Sequence, residues 1–356
     1  MERRRFLATA GALGAASTAG CAGLFETDEN TSGRGGEPPL VANRPDAVYY
    51  PTHIEQMEMI GMGSVGDAKV GLMYSYPHRF WTMESAGTQR VNVQESDAVH
   101  LMATLWDGDT GTVLSVGGGL TLSITQDGEA VSGKPPWPMI SQNMGFHYGD
   151  NYALDGDGTY TVTVRPGSVG ARKLGAFQGR FEGLEPVDIE FEYEQATRNS
   201  IPYKTLDVQG QKGAAELMEM DMMPTSTVPA QGELPGRVIG TGSSGDADIV
   251  ATVVEDPSFV DASAYLAVSP RTPYNRVPLP LMGLSATVSR NGSAVYDGGL
   301  GEALHPDLGY HYGAELDGVQ SGDQVTIAVD TPPQVARHEG YEMAFLDMGA
   351  VEFTAE

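Results

Sequence analysis

Cysteine is almost missing: Cys21 is the only one in 356 residues. One thiol excludes disulfides within the chain and thiolate metal clusters. Lysine is nearly as scarce, with 21 basic residues in all against 47 acidic ones and a net charge of −26. No basic patch is present, which argues against nucleic acid as a partner. Helical periodicity is close to absent, and no nucleophile–base set is visible, so no enzyme is expected. Copper electron-transfer sites normally use a Cys ligand, which ranks a copper redox enzyme lowest among the readings.

What is present is repetition. Gly145-Phe-His-Tyr-Gly-Asp-Asn151 returns as Gly309-Tyr-His-Tyr-Gly-Ala-Glu315, 164 residues on. Repeats of this kind decide the fold before any local reading does. The same offset carries Leu120-Thr-Leu-Ser-Ile-Thr onto Leu284-Ser-Ala-Thr-Val-Ser, and Asp127-Gly128 onto Asn291-Gly292. Upstream, Gly66-Asp67-Ala68 matches Gly245-Asp246-Ala247 at an offset of 179, so copy one carries about fifteen extra residues near His78 to Glu95.

The repeated unit is all-β. Alternating apolar and polar residues mark half-buried antiparallel strands in Tyr160-Thr-Val-Thr-Val, Val187-Asp-Ile-Glu-Phe-Glu-Tyr and Val325-Thr-Ile-Ala-Val. Asp127-Gly128 and Asn291-Gly292 are two-residue hairpin signals, since Asn, Asp and Gly accept positive φ at low cost. The expected architecture is two tandem immunoglobulin-like antiparallel β-sandwich domains, 51–200 and 233–356, joined by a linker at 201–232.

The N-terminus reads as an address. Glu2-Arg-Arg-Arg-Phe-Leu-Ala8 has the form of a twin-arginine export signal, and Thr18-Ala-Gly-Cys21 that of a lipobox, so residues 1–21 are a leader and Cys21 is the expected lipidation site. Residues 22–50 read as a flexible tether. The chain is then expected outside the cytoplasm, on the outer face of the membrane through its lipid anchor. The acidic surface resembles that of haloarchaeal proteins: such self-repulsion is screened once the Debye length falls to ~3 Å near molar salt.

The chemistry gathers in copy one. It holds His53, His78, His100 and His147 and is rich in methionine. Imidazole binds copper, zinc and iron, and thioether selects Cu(I). In an extended His53-Ile-Glu55-Gln-Met57-Glu-Met59, the alternate residues share one face, and Asp97-Ala-Val-His100 and a turn bearing His147 are expected to approach it. The opposing reading makes the methionines core fillers and the histidines ordinary hydrogen-bonded residues. Met218, Met220, Met222 and Met223 form a second cluster at the junction, read first as a docking strand. In copy two, Ala264, Ala303 and Leu308 align with His100, Met139 and Met144, so that copy is expected to be weaker or structural, with His305 and His311 near each other.

Three stretches give copy one a resemblance to the periplasmic iron-transport protein family: Asp97-Ala-Val-His100-Leu, Trp137-Pro-Met139-Ile through Gly145-Phe-His147-Tyr-Gly-Asp-Asn151, and Gly158-Thr-Tyr-Thr-Val-Thr with Val187-Asp-Ile-Glu-Phe-Glu-Tyr. Val70-Gly-Leu-Met-Tyr-Ser-Tyr-Pro77 is similar to its first core strand. The resemblance implies a small β-sandwich that binds copper and iron beside an iron permease. It implies metal ligation by His147, His100 and Asp97. His78 or Met83 would stand where the family has a methionine after a Tyr-x-x-Pro turn, and Lys69 stands where the family has an acidic residue. With His53 and Glu55 these complete the expected set, and the expected ion is iron or copper. The partners would be the membrane and an iron permease or other metal transporter; the sequence leaves oligomeric state open, a homodimer included. The competing function is a non-catalytic surface module whose metal site is lost.

Overall fold

The computed structural model describes residues 38–84, 87–117, 119–220 and 222–356. The leader, Cys21 and most of the tether therefore lie outside the described residues. Among those described, nearly all regular structure is β, and no helix is long and apolar enough to cross a membrane.

Copy one is built from two sheets. The larger runs Glu58–Val65, Ala68–Ser75, Val99–Asp107, Gly145–Tyr152, Trp137–Ser141, Ala336–Arg337, Phe80–Glu84, Gly87–Val91 in spatial order. The smaller runs Val187–Tyr193, Gly158–Pro166, Leu120–Gln126, Glu129–Lys134. In copy two, Ser293–His305 is one unbroken strand that serves both layers, pairing Gly283–Arg290 with one half and Gly309–Leu316 with the other. Its counterpart in copy one is cut into Glu129–Lys134 and Trp137–Ser141 by Pro135-Pro136, which lack the N–H a continuous ladder needs.

The hairpin chemistry is as read. Asp127 and Gly128 have φ of 51° and 82°, Asn291 and Gly292 of 53° and 81°, the two left-handed residues of a tight turn matched to strand twist. His147 departs from expectation: it lies inside the strand Gly145–Tyr152, and the turn comes before it.

Three central strands of copy one are buried on both faces, and their alternation divides two environments. From Val99–Asp107, the residues Val99, Leu101, Ala103 and Leu105 enter the main core, while His100, Met102 and Trp106 face the other way. From Gly145–Tyr152, Phe146, Tyr148 and Tyr152 enter the core, so His147, Gly149 and Asn151 share the opposite face. Each fully buried Leu, Val or Phe contributes about 1.5–3 kcal/mol, which fixes register; a slip of one residue would exchange the two faces.

That outer face is covered from three directions. The segment 51–57 carries the short strand His53–Glu55, paired with Tyr203–Thr205. The junction between copies is packed: Met223 and Ser226 are buried, and the Met218 amide donates to the Asn143 carbonyl. The tether also ends earlier than expected. Ala47, Val48 and Tyr49 are buried, the Tyr49 hydroxyl donates to Glu342, and the Val48 amide donates to Asp246 at 2.6 Å. The third cover comes from copy two.

The copies exchange strands reciprocally. Ala336–Arg337 pairs parallel with Met139–Ile140, and Arg172–Lys173 pairs parallel with Ala303–Leu304. Every residue of the second pairing is the 164-residue counterpart of one in the first. The next amides repeat the match: His338 donates to the Ile140 carbonyl at 3.1 Å and Leu174 to the Leu304 carbonyl at 2.9 Å. The chain is therefore a pseudo-twofold pair, self-complementary in the way of an isologous dimer interface. The extra residues of copy one form the hairpin Phe80–Glu84 and Gly87–Val91, which clasps the inserted strand through Trp81 and Arg337.

Candidate metal centre

Four imidazoles meet on the outer face of the large sheet. His100 and His147 come from neighbouring strands, His78 from the turn after Ala68–Ser75, and His338 from the inserted segment of copy two. Ring centroids lie 4.0 Å apart for His78–His100, 4.8 Å for His78–His338, 5.2 Å for His147–His338 and 5.5 Å for His100–His338. Ligand atoms of His78, His100 and His338 all fall within 4.8 Å of one another. Met139, cross-strand partner of His147, adds a thioether 3.1 Å from His338 Nε2.

The outer hydrogen bonds aim the rings. His147 Nδ1 lies 3.1 Å from the Gly145 carbonyl and His78 Nδ1 3.1 Å from the Tyr76 carbonyl. A carbonyl only accepts, so each Nδ1 carries the proton and each Nε2 keeps its lone pair. Asn151 does the same for His100: its amide nitrogen donates to the His78 carbonyl, which leaves Oδ1 to accept from His100 Nδ1 at 2.9 Å. Nε2 of His78, His100 and His147 is buried with no hydrogen-bond partner. Leaving one such group unpaired costs about 1–3 kcal/mol, and three of them within one cluster of rings match a site made for an electrophile. Orientation of ligating histidines by such outer partners is the usual design of metal sites.

Gly149 keeps the centre open. A Cβ at this position would stand 2.7 Å from His100 Nε2, 2.9 Å from Met139 Sδ and 3.4 Å from Met102 Cγ. The charge state suits a cation as well. Burial drives the His147 imidazole down to about 4, and burial first, then the repulsion that charges on the clustered rings would feel, holds His100 and His338 well below the ordinary histidine range. These rings are neutral bases near pH 7.

Glu55 stands at the edge. Burial works against its ionisation, but hydrogen bonding from His53 and then His78 outweighs it and holds the carboxyl at about 2. Its Oε1 is 2.8 Å from His53 Nε2, its Oε2 is 3.7 Å from His78 Nδ1, and Oε2 has no hydrogen-bond partner. His53 and Glu55 thus line the cleft that leads to His78 and His338. The cleft encloses about 90 Å³.

Two expected ligands are elsewhere. Asp97 spends its carboxylate on the Gln94 amide at 2.8 Å, closing the turn before Val99–Asp107. Met83 pairs with Thr88 inside the added hairpin and does not line the cleft. Met139, not Met83, brings a thioether to the rings. His338 went unnoticed because nothing near it in sequence marks a site; the signal was available only through the repeat, in the 164-residue match of Arg172-Lys-Leu174 to Ala336-Arg-His338.

Copy two shows the same framework without the centre. Tyr265 pairs with Glu315 as His100 pairs with Asn151, so strand register makes Tyr265, and not Ala264, the counterpart of His100. His311 keeps its bond to the Gly309 carbonyl, but its Nε2 meets the Tyr265 hydroxyl at 3.1 Å. Leu174 and Ala303 stand where His338 and Met139 do, in a small apolar cluster. His305 packs on Phe259 with ring centroids 4.6 Å apart.

Comparison with known proteins adds little on sequence. A family model described as a domain of unknown function (DUF7350) matches residues 232–354. No curated protein matches the chain. Among solved structures, the as-isolated FetP of uropathogenic E. coli strain F11 is 22% identical, with a TM-score of 0.30, over 40% of this chain and 97% of that one. A copper-bound single-residue variant of the same protein matches with the same identity and TM-score, over 39% of this chain. The likeness to FetP is weak.

Proposed function

We propose that this chain is an extracytoplasmic metal-binding protein, held at the membrane by a lipid on Cys21, that stores or presents one transition-metal ion for uptake. The observation that carries this is the cluster of His78, His100 and His338, whose ligand atoms lie within 4.8 Å of one another, with His147 packed on His338, the Met139 thioether 3.1 Å from His338 Nε2, and unpartnered buried Nε2 atoms on His78, His100 and His147. Imidazole with thioether suits copper, and imidazole with the Glu55 carboxylate suits iron. His78, His100, His147, His338 and Met139 would hold the ion, with Glu55 at its edge. The ion is cargo, and an iron permease or other metal transporter is the partner this role requires. The competing reading, a surface module without metal, describes copy two better: there the equivalent histidine is satisfied by a tyrosine.

Copper and iron contents of protein purified from its own host, with calorimetric titration of Cu(II) and Fe(II), test the proposal. His338→Ala removes the ring that touches the other three, and its affinity is expected to fall at least tenfold, about 1.4 kcal/mol. Failure of the wild-type protein to take up either ion would end the metal reading.

A further inference from the structure

Seven methionines collect beside the imidazole centre. Met73, Met102, Met144 and Met223 are buried with Trp106, and Met57, Met59 and Met220 pack against them. The main core, much larger, holds Met282 alone among its buried residues, with Met348 at its margin. Methionine used simply to fill gaps would not be sorted in this way.

Copy two serves as an internal control. Strand register equates Met59 with Val238, Met73 with Thr252 and Met102 with Ala267, and the repeat equates Met144 with Leu308. None of these counterparts carries sulfur, yet the equivalent cluster closes around Leu174, Leu234, Val250 and Leu308. Packing of this fold does not require thioethers here; they occur only in the copy that has the open imidazole centre. Met223 is further set in place by the junction: its sulfur lies over Gly71, where any side chain would collide with it.

The two groups are continuous. Met102 belongs to the sulfur cluster and also borders the space around Gly149 that His100 and Met139 share. Met57, Met102 and Met144 line the same cleft as His78 and His338. Met222, next to Met223 in the chain, and Met62, cross-strand partner of Gly71, are exposed. Thioethers are neutral, soft donors that favour Cu(I) over harder ions. We propose that Met73, Met102, Met144 and Met223, with Met57, Met59 and Met220 at their rim, form a second metal site for a soft monovalent cation of the copper(I) class. It opens toward the imidazole centre.

Silver(I), a redox-inert probe of the same class, tests this on the full chain in molar sodium nitrate, because chloride would precipitate it. Wild-type protein is expected to take up at least one more equivalent of Ag(I) than the Met73→Leu, Met144→Leu, Met223→Leu triple variant. Leucine conserves volume, so Cu(II) uptake should stay within twofold. A variant lacking His147 and His338 (both to Ala) should keep the silver equivalent that the triple variant loses. On wild-type protein, methyl-labelled methionine NMR should show shifts at Met73, Met144 and Met223 on silver addition, which needs no variant to fold. Equal silver uptake by wild type and the triple variant, or unmoved methyl signals, overturns the thioether site. Failure of Cu(II) uptake by the wild type would instead remove the imidazole reading and leave this result intact.

Discussion

Gly149 turns the centre into a question about a single methyl group. Its Cβ would sit within 3 Å of both a lone-pair nitrogen and a thioether, closer than ordinary contact allows, and buried strands around it leave those rings nowhere to go. Gly149→Ala is expected to keep the β-sheet circular dichroism spectrum and lose at least tenfold in Cu(II) affinity. An unchanged titration would mean that the ion is held elsewhere. His311 makes a different prediction, free of metal. Burial brings its folded pKa to about 4, against the Gly309 carbonyl bond that favours the charged ring. The unfolded chain takes a proton there below about 6.5 and the folded chain does not until about 4. The unfolded state therefore binds more protons in that window, so stability is full above pH 6.5 and falls as pH drops toward 4, by on the order of 3 kcal/mol. Urea unfolding at pH 7, 5.5 and 4.5 should show this loss. His311→Leu, which also leaves the Tyr265 hydroxyl without its partner, should be less stable at pH 7 but flatter in the window. A slope equal to wild type would show that His311 is already charged in the fold.

Strands and turns were legible because they follow local rules. Alternation gave Leu120–Gln126, Gly158–Pro166, Val187–Tyr193 and Gln324–Thr331, and the Asp-Gly and Asn-Gly pairs gave their hairpins. The histidine-bearing strands were harder for a physical reason. Val99–Asp107 and Gly145–Tyr152 are buried on both faces, so polar alternation is replaced by near-continuous apolar and aromatic residues, and a flanking pair of glycines then mimics a turn around His147. Residue type and the family resemblance single out His78, His100, His147, His53 and Glu55; the structure lines one cleft with His53, Glu55 and His78, and packs His100 on His78 and His147 on His338. Asp97 and Met83 enter through the family resemblance, and a motif match says nothing of where a hairpin carries a side chain. His338 directly follows a two-residue strand, Ala336–Arg337, too short for any periodicity. Glu339 beside it is anchored by Arg79 at 2.8 Å and by Thr52 at 3.1 Å, contacts separated by more than 250 residues in sequence. Only the repeat could have linked them.

At the scale of the molecule, duplication made an asymmetric centre from a symmetric exchange. Each copy lends the other two strand residues, but only one lends a histidine; the reciprocal position is Leu174. Copy one should therefore be unable to bind metal tightly by itself. A chain ending at residue 232 lacks His338, the Glu339 anchor and the Glu342 partner of Tyr49, and it uncovers the face that carries His100 and His147. We expect its Cu(II) affinity to be at least a hundredfold below that of the full chain. Adding residues 233–356 as a separate polypeptide should restore part of the loss, in proportion to its concentration, since covalent linkage supplies an effective concentration that a free partner must match. Both measurements belong in molar salt, where a net charge of −26 is screened to within ~3 Å and the two acidic halves can associate. Full-strength binding by the shortened chain would show that His338 is a neighbour of the centre and not one of its ligands.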